Sequence, residues 1–498
     1  MANSKELNHR LTALDASFLY CEQPTQPMHI GSCMTYAGRL SRDEVIRVLA
    51  DRMYLSPRYR QKVVFSPLHL AHPAWEDDPD FDVNNHVEEL TLPAPGDERV
   101  LSEVGGQAYA SRLDRDRPLW QVIVCHGSVD GNTTLIWKIH HAIVDGVSGV
   151  ELLTITHDLK ARAEVLPTTD VQWQPRPLPD RFTQVHHAVR ERLTETVQWW
   201  TDEIFGLFNA THVKRRLQQT IQTASSLWPT LLSPAPRVPL NGPLSGHRQF
   251  AWAVFSFAEI RSIRSLLGGT VNDVVLAVIA GGLGRYLRAH GVSTKGMELR
   301  AMCPVSMRRE DERGALGNRV SVMIAPLYVD IADPVQRLIA ERTAMERLKK
   351  HDQAGGFFAM TELGSRLSPL LQVAVGQSPF PNFLFNTAST NVPGPQAPLY
   401  FSGRKLLAWR PLGINAANIG LFNAILSYNQ TLTISATVDP QLVPDPWFYT
   451  DCLKESFAEL LAAAERPIIS YPSPPPQEPP PQQPQERRKK PRERRKAA

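Results

Sequence analysis

Two adjacent imidazoles with a carboxylate four residues beyond the second occupy His140-His141-Ala142-Ile143-Val144-Asp145-Gly146. A neutral imidazole titrates near pH 7, so it can take a proton from a hydroxyl and return it to a leaving group. Paired histidines and an aspartate also suit zinc or iron. A metal would need further ligands, and no H-E-x-x-H spacing supplies them. Ser148 is a candidate nucleophile, but Gly146-Val147-Ser148-Gly149-Val150 lacks the second glycine of the G-x-S-x-G elbow. A buried structural histidine pair is the remaining alternative. The reading that asks least of the surrounding chain is general base catalysis without a covalent enzyme intermediate. A hydroxyl would attack an activated carbonyl, and the imidazolium would then protonate the leaving thiolate.

The elements around the motif set which histidine can work. Thr133–Ile139 has the apolar character of a strand, and Val147–Leu159 has helical spacing. Strand side chains alternate between faces. Leu135, Trp137, Ile139 and His141 share one face, and Ile136, Lys138 and His140 share the other. The two histidines therefore serve different ends unless the strand has already stopped. Asp145-Gly146 reads as a tight turn.

The 498 residues suffice for two or more domains, and a 42% hydrophobic, 21% charged composition fits a globular chain. No apolar run reaches the roughly 18–20 residues of a spanning helix. Met1–Tyr20 lacks the pattern of a signal peptide, so a cytoplasmic location is expected. Five cysteines without C-x-x-C spacing suggest neither a disulfide framework nor a zinc site. The net charge of +4 belongs to the end of the chain: Pro467–Ala498 holds eight Arg/Lys and three Glu, which leaves the rest at −1.

Strand-like and helix-like stretches alternate on both sides of a proline-broken region, which implies mixed α/β structure. Ile30–Tyr36 and Pro118–Val124 read as strands. Ser41–Met53 reads as a helix opened by a Ser41/Glu44 capping box, and Ser102–Leu113 as another. A helical region is expected over Arg181–Leu231. After His247 the pattern restarts, with strands over Phe250–Phe257, Leu299–Val305, Arg319–Val329 and Phe383–Asn391. Helices are expected over Phe257–Leu267, Asp333–His351 and Asp445–Ala464. A further helix, Val271–His290, opens with Asn272-Asp273 at its N-terminus, and Gly420–Ser427 with Gln430–Val438 forms a hairpin. The expected divisions are 8–165, 166–246 (a helical connection), 247–466 and 467–498. The last is Pro/Gln-rich and then Arg/Lys-rich, and cannot bury a core. A solvated tail or attraction to anionic lipid headgroups both fit it. A nucleic-acid partner is not expected, because no binding fold or interleaved aromatics accompany the basic run.

His140-His141-x-x-x-Asp145-Gly146 resembles the motif of CoA-dependent acyltransferases related to chloramphenicol acetyltransferase and peptide-synthetase condensation domains. From about residue 8 to 465 the chain resembles, more closely, the bacterial wax ester synthase/acyl-CoA:diacylglycerol acyltransferase family. The matching motifs are Leu14-Asp15-x-x-Phe18, Pro27-Met28-His29-x-Gly31, Pro118-Leu119-Trp120, Asn272-Asp273, Gly317-Asn318 and Asn391-Val392-Pro393-Gly394-Pro395.

This resemblance implies two chloramphenicol-acetyltransferase-like α/β domains with a substrate tunnel between them. It implies an acyltransferase that moves a long-chain acyl group from acyl-CoA to diacylglycerol or a fatty alcohol. His141 would be the general base, with His140 supporting it. Asp145 and Gly146 would shape the loop, and Arg60 would pair with Asp145. Asn272 would hydrogen-bond the reacting oxygens beside Asp273. Pro118, Leu119, Trp120 and Asn391 would lie along the tunnel. No metal or cofactor is expected, since acyl-CoA is a substrate. Substrates this apolar imply peripheral association with a membrane or lipid-droplet surface. A condensation-like transferase with another acceptor, or a non-catalytic lipid-binding protein of the same fold, would share these motifs.

Overall fold

The strand that ends at His140 lies inside a six-stranded sheet, buried along its whole length. The structure is a computed structural model. It describes residues 10–52, 55–144, 149–150, 153–161, 173–178, 180, 182–186, 189–190, 194, 233–306, 320–350, 353–358, 368–376 and 384–466. Most of the expected helical region over Arg181–Leu231, the Gly317-Asn318 motif and the tail after residue 466 lie outside the described residues.

The N-terminal half opens with α1 (Ala13–Cys21), capped by Thr12, whose side chain accepts from the Asp15 N–H. It continues through β1 (His29–Tyr36) and α2 (Arg42–Arg52). The Ser41/Glu44 capping box forms as expected: Glu44 accepts from the Ser41 N–H, and the Ser41 hydroxyl accepts from the Glu44 N–H. A two-stranded ribbon, β2 (Gln61–Val64) and β3 (Ala74–Asp77), follows. Next come β4 (Val87–Thr91), α3 (Glu98–Ala110), β5 (Trp120–His126) and β6 (Thr133–His140). Helix α3 begins before the expected Ser102, because the Asp97 carboxylate accepts the Arg99 and Val100 N–H groups and caps it there.

The C-terminal half contains β7 (Gln249–Ser256), α4 (Phe257–Leu267), α5 (Val271–Ala289), β8 (Leu299–Ser306), β9 (Val320–Leu327) and α6 (Pro334–Lys350). After these come α7 (Pro369–Gly376), β10 (Thr387–Pro393), β11 (Tyr400–Phe401), β12 (Arg404–Leu412), β13 (Leu421–Tyr428), β14 (Thr431–Val438) and α8 (Pro446–Glu465). Helix α5 starts at Val271, as expected. The cap is Thr270, and Asp273 at the third helical position completes a capping box with it, so Asn272 lies inside the first turn. Residues Asn429 and Gln430 take positive φ of 44° and 66° between β13 and β14, which turns the expected hairpin without a glycine.

One sheet has the order β11-β12-β1-β6-β5-β4, and the other β7-β14-β13-β10-β8-β9. The first takes two strands from late in the chain. Antiparallel pairing of Gly31 with Leu412 and of Cys33 with Arg410 ties β12 to β1. Trp120, Trp137, Tyr36 and Trp409 fill the core on one side of this sheet. A second core surrounds α5, whose residues from Asp273 to Gly284 are buried. Cys33, Ile136, Tyr109, Phe250 and Trp252 pack into a third cluster that joins β1 and β6 to β7. Among the described residues no single helix is long and apolar enough to cross a membrane.

Candidate active site

Strand β6 ends at His140, and three neighbouring segments fix how the chain leaves it. The His140 N–H donates to the Leu119 carbonyl at 3.0 Å, and the His141 N–H donates to the Met28 carbonyl at 2.9 Å. The Ala142 N–H donates to His140 Nδ1 at 3.1 Å. A ring nitrogen that accepts carries no proton, so the proton of a neutral His140 is on Nε2. The Pro118–Trp120 and Pro27–His29 motifs, distant in sequence, are thus the two backbone walls of the histidine turn.

The histidines face different surroundings, because the strand stops between them and alternation does not extend to His141. His140 is 1% exposed and stands opposite His29 in the β1–β6 register. His141 lies one residue past the strand, is half-buried, and stacks on Phe18 of α1 with ring centroids 4.1 Å apart and planes 14° from parallel. The described part of the helix expected after the motif is helical at 149–150 and 153–154. Asp145, Gly146 and Ser148 lie outside the described residues.

Behind the turn Glu22, His29 and Lys138 are buried, and each makes hydrogen bonds there. Glu22, the residue after α1, accepts the Met28 N–H on Oε1 at 3.1 Å. The same oxygen stands 3.6 Å from His140 Nε2, and Oε2 takes Arg115 Nε at 3.1 Å and Nη2 at 2.8 Å. Burial alone would raise the Glu22 pKa, but His140, the Met28 amide and Arg115 together pull it down to about 2. His29 Nε2 bonds the Tyr109 carbonyl at 2.7 Å, and burial holds its pKa well below the usual imidazole value. Lys138 Nζ bonds the Ser111 carbonyl at 2.7 Å at the end of α3, and burial lowers its pKa to about 8. A Cβ on Gly31 would meet the Trp137 carbonyl oxygen at 2.2 Å and the Tyr109 ring at 2.6 Å, so only glycine fits there.

Leu119 and Trp120 are fully buried, and the Trp120 indole donates to the Tyr59 carbonyl at 2.8 Å while stacking on His86. Arg60 lies with its guanidinium 4.6 Å from the Trp173 ring centre, in the field of Asp77, and burial lowers its pKa. Asp273 is held by its capping role. Asn272 is half-buried in the first turn of α5, and its side chain makes no hydrogen bond among the described residues. Asn391 is exposed on β10, paired with Ile425 of β13. Sequence reading passed over Glu22 and Arg115, which carry no motif signal. Phe18 stood in a quoted motif without a role.

Known proteins resemble the chain over almost all of this architecture. Residues 11–275 match the wax ester synthase/diacylglycerol acyltransferase catalytic domain, and residues 316–461 match the WS/DGAT C-terminal domain. A relative from Mycobacterium tuberculosis that carries the name diacylglycerol O-acyltransferase is 32% identical over 475 residues, 92% of this chain and 91% of its own length. A second from the same species, also so named, is 31% identical over 468 residues, 92% of this chain and 97% of its own. The solved wax ester synthase/diacylglycerol acyltransferase from Marinobacter aquaeolei VT8 shares the fold with a TM-score of 0.63 at 24% identity, over 91% of this chain and 99% of that one. The first condensation domain of the calcium-dependent antibiotic synthetase gives a TM-score of 0.57 at 16% identity, over 93% and 98%.

Proposed function

Because this chain belongs to the wax ester synthase/diacylglycerol acyltransferase family, we propose that His141 is the general base of its acyl transfer. The protein is an O-acyltransferase that moves an acyl group from acyl-CoA to the hydroxyl of diacylglycerol or a long-chain alcohol. The observation that carries the base assignment is the divergence of the two imidazoles. His140 is sealed behind the turn, while His141 stands past the strand end against Phe18.

The steps follow from ordinary acid–base chemistry. His141 takes the acceptor O–H proton as that oxygen attacks the thioester carbonyl. The C–S bond of the tetrahedral intermediate then breaks, and the imidazolium protonates the departing CoA thiolate. The products are triacylglycerol or a wax ester, and CoA. Asn272 supports this as a donor to the developing oxyanion, since its half-buried amide is not committed elsewhere among the described residues. The assignment of Asp145 and Gly146 to shaping the loop, and of Arg60 to pairing with Asp145, rests on the motif alone. Leu119 and Trp120 hold the histidine strand from behind, and Asn391 lies on the acceptor side of a tunnel between the two sheets.

Peripheral association with a lipid surface completes this reading. Leu68, Leu70, Leu370 and Leu371 are exposed at 83%, 38%, 60% and 46%, on the turn at 67–69 and on α7, which packs on it and on α1. No acid occurs over 66–72 or 368–376, so an anionic lipid surface meets no repulsion there. Vesicle flotation tests this part: Leu68→Asp with Leu370→Asp reduces binding, and unchanged binding counts against the surface. The activity is tested by incubating purified protein with palmitoyl-CoA and either dioleoylglycerol or hexadecanol, then measuring free CoA and product lipid. No turnover with either acceptor refutes the reading.

A further inference from the structure

We propose that Glu22 is a positioning residue for the His140–His141 pair, its buried carboxylate fixing the backbone of the turn and the charge behind the base. The inference rests on His141 being the base. The chain of contacts closes on one side chain. Glu22 Oε1 accepts the Met28 N–H, and the Met28 carbonyl accepts the His141 N–H. His140 Nδ1 is occupied as an acceptor by the Ala142 N–H, and its Nε2 stands 3.6 Å from the same Oε1, within reach of the carboxylate's charge though beyond a hydrogen bond. Arg115 grips Oε2 and also donates to the Leu19 carbonyl at 2.8 Å, which anchors the carboxylate to α1. Helix α1 in turn carries Phe18, the ring stacked on His141. One carboxylate therefore ties the helix against the base, the strand entering beside it and the strand leaving it.

The titratable groups around Glu22 are His140, Arg115, His29 and Lys138. Burial keeps His29 neutral, and Arg115 is the cation that directly balances Glu22. Glu22 remains ionised throughout the range in which an imidazole titrates. Its negative charge favours the imidazolium form that the pair must adopt when His141 removes the acceptor proton.

The test is the pH dependence of turnover by the full chain with palmitoyl-CoA and dioleoylglycerol. Glu22→Gln keeps the size and an acceptor oxygen for Met28 but removes the charge. It is expected to lower kcat about tenfold with both KM values unchanged. The acid limb of the kcat profile moves to lower pH by roughly half a unit to one unit, below an unscreened pair's shift because Arg115 compensates. Glu22→Asp keeps the charge with a shorter reach, so its kcat falls while its acid limb stays at the wild-type pH. A wild-type kcat and acid limb in Glu22→Gln would overturn the proposal, as would a displaced limb in Glu22→Asp. His141→Ala separates the two readings. Full activity in that variant removes the base assignment and the Glu22 role with it. An inactive His141→Ala beside an unaltered Glu22→Gln removes the Glu22 role alone.

Discussion

Replacing Phe18 with leucine should slow acyl transfer without unfolding the protein. The phenyl ring lies 4.1 Å from the His141 imidazole, nearly parallel to it, and is half-buried. Leucine keeps most of the apolar contact with α1's neighbours but removes the flat face that sets the imidazole plane. An aromatic pair in this geometry contributes about 0.5–1.5 kcal/mol beyond its buried area. If that stabilisation holds His141 in the orientation the reaction needs, its loss converts to roughly a twofold to thirteenfold fall in kcat. The ring face also favours the imidazolium, so the acid limb of the pH profile should move to lower pH. Steady-state kinetics across pH, with thermal melting to confirm folding, measures both. A Phe18→Leu enzyme that melts as wild type and keeps the wild-type kcat at every pH would refute the role of the stack.

Three further substitutions probe the frame around the site. Gly31→Ala forces a methyl into the Trp137 carbonyl and the Tyr109 ring, and overpacking of this kind costs about 1–3 kcal/mol; a wild-type melting temperature by circular dichroism would show that the β1–β6 pairing yields more easily. Burial of Glu341 raises its pKa to about 8, opposed by the Tyr328 N–H and Arg337 and reinforced by Glu298 and Asp273. It folds protonated, so its contribution is full below an unfolded value near 4.5 and is lost as pH rises toward 8. Glu341→Gln should therefore gain on wild type by on the order of 3 kcal/mol at pH 8 and little at pH 5, measured by urea denaturation; equal differences at both would count against a protonated carboxyl. Arg60→Ala should lower both the melting temperature and kcat if Arg60 pairs with Asp145, and wild-type behaviour in both assays would remove that pairing.

Much of the local structure could be read from residue order. Alternation along Thr133–Ile139 set His140 apart from His141 only if the strand ran on, and in the structure β6 stops at His140, so the turn rather than the alternation parts them. The Ser41/Glu44 box and the hairpin closing at Asn429 were visible because their determinants lie within a few residues of one another. The helix starts at Asp97 and Thr270 were also written locally, but a cap lies outside the apolar stripe that marks a helix. What residue order did not reveal is long-range. Strand β12 reaches back to complete the sheet of β1, and no periodicity distinguishes one partner strand from another. Glu22 precedes His140 by more than a hundred residues and looks like any polar residue after a helix. Its importance follows from burial against His140 and Arg115, which only the folded chain brings about.

The most direct test of the account is the turnover of His141→Ala with palmitoyl-CoA and dioleoylglycerol, with a melting curve taken alongside. A general base contributes about 10²–10⁴-fold, so kcat should fall by that factor in a protein that melts as wild type. His140→Ala would not serve as well, because it leaves Glu22 facing a cavity and disturbs the turn itself. A folded His141→Ala enzyme that forms triacylglycerol at the wild-type rate would contradict the assignment of the base.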